Sequence, residues 1–157
     1  MPIAYVALGS NLGNKKENLL RAIELLKNHG VNILAVSSFL VTKPYGVTDQ
    51  PDFLNGAIKL EYSKSPEELL EVLLAVEQEM GRVRLRHWGE RIIDLDLLLF
   101  EQEVINSKRL VLPHKDMENR EFVLAPLAEI APQIVPPNGS ETIMELLTNL
   151  RKRDGEK

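Results

Sequence analysis

The chain contains no cysteine, which excludes disulfides, thiolate metal sites and a thiol nucleophile together. Aromatic residues are scarce, at 5% of the total, so a sheet with a broad stacking surface for RNA bases is not expected. No apolar run approaches the roughly 18 residues that a bilayer span requires. The opening Met1-Pro2-Ile3-Ala4-Tyr5 lacks the basic stretch of a secretory signal. Positive charge is also short, with 19 Lys and Arg against 23 Asp and Glu and a net charge of −4, which argues against a wide phosphate-binding face. These absences predict a cytoplasmic protein that engages neither membrane nor nucleic acid.

What is present suits one compact unit. The 157 residues carry 44% apolar and 27% charged side chains, an ordinary globular balance with enough chain for one core. No repeat, low-complexity tract or linker divides it, so residues 1–157 read as a single domain, and nothing requires more than a monomer.

Periodicity supplies the elements. Ile3 to Leu8 reads as a buried strand closed by Gly9. Asn14 caps a helix to about His29, with Leu19, Leu20, Ile23 and Leu26 on one face and Gly30 as its stop. Val31 to Val41 is a second strand, and Pro44, Gly46 and Pro51 mark a long loop before a third at Phe53 to Tyr62. Ser65-Pro66-Glu67-Glu68 is a capping box that opens a helix through Leu69, Leu70, Leu73, Val76 and Met80, ended by Gly81. Arg91 to Phe100 is the fourth strand. The order βαββαβ predicts an α+β, ferredoxin-like fold, an antiparallel sheet with two helices on one face. A short strand or turn at Leu110 to Leu112 and helices near Arg120 to Ile130 and Glu141 to Leu150 are C-terminal additions.

The chemistry concentrates in one stretch. Asp94 and Asp96 interrupt the apolar run Ile92-Ile93-Asp94-Leu95-Asp96-Leu97-Leu98-Leu99. Positions two apart on a strand face the same way, about 6.6–7 Å apart, so both carboxylates leave one face while Ile93, Leu95, Leu97 and Leu99 fill the other. Paired carboxylates in a partly dry setting repel, and a divalent cation removes that penalty. The alternative is an edge strand with one wet face. Arg82, Arg84, Arg86 and Arg91, with His87, precede the pair closely, and guanidinium forks beside a carboxylate pair are what phosphoryl transfer needs. A P-loop is excluded, because only three residues separate Gly9 from Gly13 and no Lys-Ser/Thr pair follows; both glycines read as turn residues. Phe53 and Asn55 share a strand face and suit a flat heterocycle, or are a core ring and a satisfied amide. Trp88 stacks, gates or shields its loop, and His114 alone is structural as readily as catalytic.

The string His87-Trp88-Gly89-Glu90-Arg91-Ile92-Ile93-Asp94-Leu95-Asp96-Leu97-Leu98 resembles the signature of the 6-hydroxymethyl-7,8-dihydropterin pyrophosphokinase family. Ala7 to Gly13, Thr42, Pro44, Gly46, Gln50 to Asn55, Pro113-His114, Met117, Arg120, Phe122 to Leu124 and Pro126-Leu127 agree in the same order. The resemblance implies diphosphate transfer from Mg-ATP to the pterin hydroxymethyl group, giving AMP, in folate biosynthesis. It implies that Asp94 and Asp96 hold two magnesium ions and act with Arg82 and Arg91 as the catalytic set. Arg82, Arg84 and Arg91 would grip phosphates, with Arg109, His114, Trp88 and Leu97 as further ATP contacts and Glu77 on the nucleotide side. The pterin would lie between Phe53 and Phe122, its edge read by Asn55 and the chain at Thr42, Pro44 and Tyr45. A non-catalytic ferredoxin-like sensor of a small ligand is the rival, although it leaves the aspartates and arginines without a task.

Overall fold

A computed structural model describes residues 1–42, 51–81 and 92–155. Strand β1 (Ile3–Ser10) leads into helix α1 (Lys15–Asn28), then β2 (Asn32–Val36), β3 (Leu40–Thr42) and β4 (Phe53–Glu61). Helix α2 (Pro66–Glu79) and β5 (Asp94–Phe100) follow, then a small β6–β7 hairpin (Ile105–Asn106 and Val111–Leu112). A 3₁₀ turn (Met117–Asn119) precedes α3 (Glu121–Ile130) and α4 (Ile143–Gly155).

The helix starts follow their local signals. Asn14 Oδ1 accepts the Glu17 N–H at 3.1 Å. Ser65 and Glu68 satisfy each other's backbone donors, with Pro66 in the first turn. These contacts pair amides that the helix itself leaves without partners.

The sheet runs β2–β4–β1–β5, and β3 also pairs with β4; every neighbouring pair is antiparallel. On one face, Leu19, Leu26, Leu69, Leu73 and Val76 of α1 and α2 close over Ala4, Val6, Leu8 and Ile58. The sequence assigned Leu20 to this stripe, but it is exposed, and Ala22 takes its place. Residues 19, 22, 23 and 26 form the stripe facing the sheet, and position 20 falls outside it. The C-terminal additions cover the other face. There α3 lies against β4, β1 and β3, and α4 packs on α3 through a second core of Leu124, Leu127, Ile143 and Leu147 with Tyr5 and Leu99. The sheet is therefore sandwiched, rather than covered on one side only.

Two further expectations are corrected. The stretch from Val31 to Val41 is two short strands, not one. At the break, Ser37 exchanges bonds with Ala57, its N–H reaching Ala57 O and its Oγ accepting the Ala57 N–H, both at 2.9 Å. The Phe39 ring there fills the space a side chain at Gly56 would need, its Cδ1 lying 2.7 Å from where a Cβ would stand. In β5, a bulge pairs Tyr5 with Leu99 but Val6 with Leu97. The extra residue, Leu98, reverses the alternation. Ile93, Leu95 and Leu97 face α1 and α2 as expected, whereas Leu99 faces α3. Among the described residues, no helix is long and apolar enough to cross a membrane.

Candidate active site

Register places the carboxylates. Asp94 pairs with Gly9 and Asp96 with Ala7, and directly paired residues share a sheet face. Ala7 packs against the α3 side, so both aspartates project there, half-buried, beside two small residues of β1. The period-2 expectation for the pair holds. Among the described residues no group of three His, Asp or Glu side chains completes a protein cage. Two hard oxygen donors with open positions fit magnesium, which keeps water and phosphate oxygens in its shell.

On the same face, Asn55 pairs with Gly9 across β1 and β4. Gly9 is therefore a strand residue and not the turn expected; Gly13, with φ +64°, is the turn. A Cβ at Gly9 would stand 2.7 Å from Asn55 Oδ1 and 3.6 Å from Phe53 Cδ1. The bare backbone leaves room for the amide and the ring to lie over β1. Asn55 Nδ2 donates to Thr42 Oγ1 of β3 at 2.5 Å. Phe122, at the start of α3, packs into the core on this face, with the Arg120 guanidinium 5.7 Å from its ring centre. Arg120 also bonds Asp116 at 3.4 Å.

A hollow of about 220 Å³ runs along the outer edge of β5, lined by Leu70, Leu95, Asp96, Leu97, Arg109, Leu110, Val111, His114 and Lys115. It gathers Asp96 with three expected nucleotide contacts, Leu97, Arg109 and His114. Leu70, Leu110, Val111 and Lys115 line it too, and no local pattern marks them; the edge of β5 alone brings them together. Exposed Arg109 is ion-paired to Glu71 of α2. The His114 N–H donates to Leu98 O at 3.0 Å. Its Nδ1 accepts from the Asp116 N–H at 3.3 Å, so Nε2 carries the proton. Burial, then the charges of Arg120 and Lys115, hold the imidazole below its usual range, although Asp116 and Asp94 pull the other way.

Glu77 is buried on α2, and its Oε2 accepts the Leu95 N–H at 2.8 Å. That amide lies between the two aspartates, so Glu77 meets the strand within the carboxylate-bearing stretch. Arg82, Arg84, Arg86, His87, Trp88 and Arg91, with Pro44 and Tyr45, lie outside the described residues.

The described residues thus bring together a carboxylate pair, a hollow beside it that includes Arg109, His114 and Lys115, and the Asn55 amide across Gly9 on the same sheet face. Paired carboxylates with cationic side chains nearby are the parts that metal-assisted phosphoryl transfer uses. The family model described as 7,8-dihydro-6-hydroxymethylpterin-pyrophosphokinase matches residues 5–132. The chain is 51% identical over 150 residues to the 2-amino-4-hydroxy-6-hydroxymethyldihydropteridine pyrophosphokinase of Haemophilus influenzae, covering 94% of this chain and 92% of that protein. It is 46% identical to the enzyme of that name from Methylorubrum extorquens, covering 96% and 94%. The chain belongs to the pyrophosphokinase family. Relatives named as enzymes at this identity leave the non-catalytic sensor without support. A crystal structure of Plasmodium falciparum HPPK-DHPS with pteroate aligns at TM-score 0.81 and 16% identity, over 99% of this chain and 43% of that one. That structural match shows a shared fold, with this chain spanning less than half of the longer protein.

Proposed function

We propose that the chain transfers the terminal diphosphate of ATP to the hydroxymethyl group of 6-hydroxymethyl-7,8-dihydropterin, releasing AMP, as a step of folate biosynthesis. The observation that carries this is Asp94 and Asp96 sharing one sheet face, with the β5-edge hollow beside them and Asn55 on the same face across Gly9. The family's reaction uses ATP, generally with magnesium; in our reading two ions are held by Asp94 and Asp96, and bound there they neutralise charge on the phosphates.

ATP lies along the β5 edge, its base side against Leu97 and its charged groups toward Arg109, His114 and Glu77's end of α2. Arg82, Arg84 and Arg91 grip the phosphates, and Trp88 closes over the nucleotide. The pterin lies between Phe53 and Phe122, its edge toward Asn55 and the chain at Thr42, Pro44 and Tyr45. The hydroxymethyl oxygen attacks the β-phosphorus and gives up its proton to water, the bond from that phosphorus to the oxygen shared with the α-phosphorus breaks, and AMP leaves with that oxygen. Positioning and fixed positive charge supply most of the barrier reduction in such transfers. The strand order and uniform antiparallel pairing support the ferredoxin-like assignment. We read the chain as a monomer of the cytoplasm.

The test is a product assay with ATP, magnesium and the pterin on the wild type and on Asp96→Ala. AMP and pterin diphosphate in equal amounts, lost in the variant, are expected. ADP as the product would overturn the transfer assigned here.

A further inference from the structure

We infer that the far end of β1, away from Asp94 and Asp96, carries a second ligand site for a small zwitterion with an apolar body. A free aliphatic amino acid is the simplest such molecule, and nothing in the site depends on the reaction proposed at the other end. Tyr5 of β1 pairs directly with Lys59 of β4 and with Leu99 of β5, so the three side chains stand in one row. Tyr5 precedes Ala7 and Gly9, the partners of Asp96 and Asp94, by roughly 7 and 14 Å of strand. A hollow of about 250 Å³ opens over the row, walled by Ile3, Ile134 and the turn at Glu101 and Gln102. It shares no lining residue with the hollow that holds Asp96. Its volume is roughly that of eight waters in liquid, which suits a ligand of similar atom count.

Three polar groups line this space with bonding capacity to spare. Tyr5 is only 5% exposed, yet among the described residues no hydrogen bond reaches its hydroxyl. Buried polar groups almost always have a partner, and a bound molecule supplies one here. Burial, then the charge of Glu101, hold the phenol above its usual range, so it keeps its proton and donates. Lys59, half-buried in the same row, forms no ion pair with a described residue. Two donors side by side, one of them charged, suit a carboxylate. Glu101 supplies the opposite charge. Its backbone is left-handed, at φ +49°, a costly conformation for a residue with a side chain. Its N–H donates to Ile3 O at 2.8 Å and its Oε2 accepts the Ile3 N–H at 2.9 Å. The carboxylate is thereby fixed at the wall, with Oε1 open to an ammonium group. Ile3, Leu99 and Ile134 give the apolar surface for the rest of the ligand. A plain anion meets the like charge of Glu101 there and a plain cation that of Lys59, whereas a zwitterion satisfies both.

The probe is free leucine, titrated into the full chain and followed by NMR of the leucine and isoleucine methyl groups. Saturating shifts at Ile3, Leu99 and Ile134 are expected, with Leu95 and Leu110 of the other hollow unmoved. Isocaproate, which is leucine without its ammonium, and isoamylamine, which is leucine without its carboxylate, should each bind about fivefold more weakly. Lys59→Met keeps the stem and removes the charge; Glu101→Gln keeps an acceptor for Ile3 and removes the charge. Each should weaken leucine binding by a similar factor. Tyr5→Phe should weaken it too, yet its urea midpoint should be no lower than that of the wild type, because no internal bond is lost. Shifts that do not saturate or that spread to Leu95 and Leu110 would overturn the inference. So would leucine-strength binding of either analogue, undiminished binding in Lys59→Met, or a lowered midpoint in Tyr5→Phe.

Discussion

The region of Asn55, where we place the heterocycle, and the hollow along β5, where we place the nucleotide, flank β1 and are built on opposite terms. The slot is floored by a nearly buried amide, held by a hydroxyl and a bare glycine. The hollow is edged by Arg109 and Lys115, both exposed, and Arg109 already has a carboxylate partner in Glu71. Fixed buried polar groups discriminate, because a mismatched ligand leaves them unsatisfied. Exposed cations attract charge but select weakly, since solvent screens them and their side chains are free to move. Between the two stand Asp94 and Asp96, on the edge strand β5.

Changes at that junction should have the largest effect and strike both halves. Asp96→Ala is expected to lower kcat by on the order of 10²–10³-fold, as loss of a charge-stabilising group does. Pterin binding, measured by fluorescence or calorimetry, should survive it. If pterin binding vanished too, the slot and the junction would be one unit rather than two.

Glu77 offers the next test. Glu77→Leu leaves the Leu95 N–H without its acceptor, at a cost of about 1–3 kcal/mol that urea unfolding would read. Because that amide lies between the aspartates, magnesium dependence of the rate should shift as well. Glu77→Gln, which retains an acceptor, should recover most of the stability.

On the hollow side, Glu71→Gln frees Arg109 from its ion pair. An exposed pair is worth about 0–1 kcal/mol, so KM for ATP should fall by no more than about fivefold. The gain should shrink as salt rises, and KM for the pterin should not move. A change in pterin KM would undo the separation of the two regions.

The smallest effect concerns how the slot's walls are joined. Glu129 of α3 accepts from Ser38 N and Oγ at 2.8 and 2.6 Å, tying the helix that carries Phe122 to the start of β3. Those two bonds hold its carboxyl below the usual glutamate range. A depressed folded-state value means that the stabilisation is present above the ordinary value and is lost as pH falls through the lowered one. Glu129→Gln should therefore flatten the acid limb of the stability–pH curve through a small loss of stability near neutrality, with the two proteins converging in acid.

Much of this was legible from local rules. The helix caps at Asn14 and Ser65, the helix stripes and the shared face of Asp94 and Asp96 depend on neighbours within a few residues. Leu20 and Leu99 show where such rules fail. A two-leucine step on a helix does not say which one meets the sheet, and a one-residue bulge reverses every position beyond it. The family resemblance pointed to Leu97, Arg109 and His114 as nucleotide contacts, but spacing alone would not have brought them together.

From the sequence alone came the order of elements, the carboxylate pair and the exclusion of thiol chemistry, because each follows from residue type and short-range period. Tertiary structure decided that Gly9 lies under Asn55, that Thr42 reaches the same amide, that Glu77 meets the amide between the aspartates and that α3 and α4 close the second face. Most of those are pairings between residues far apart in the chain. They follow from sheet register, which the packing of the whole core determines and no local window contains.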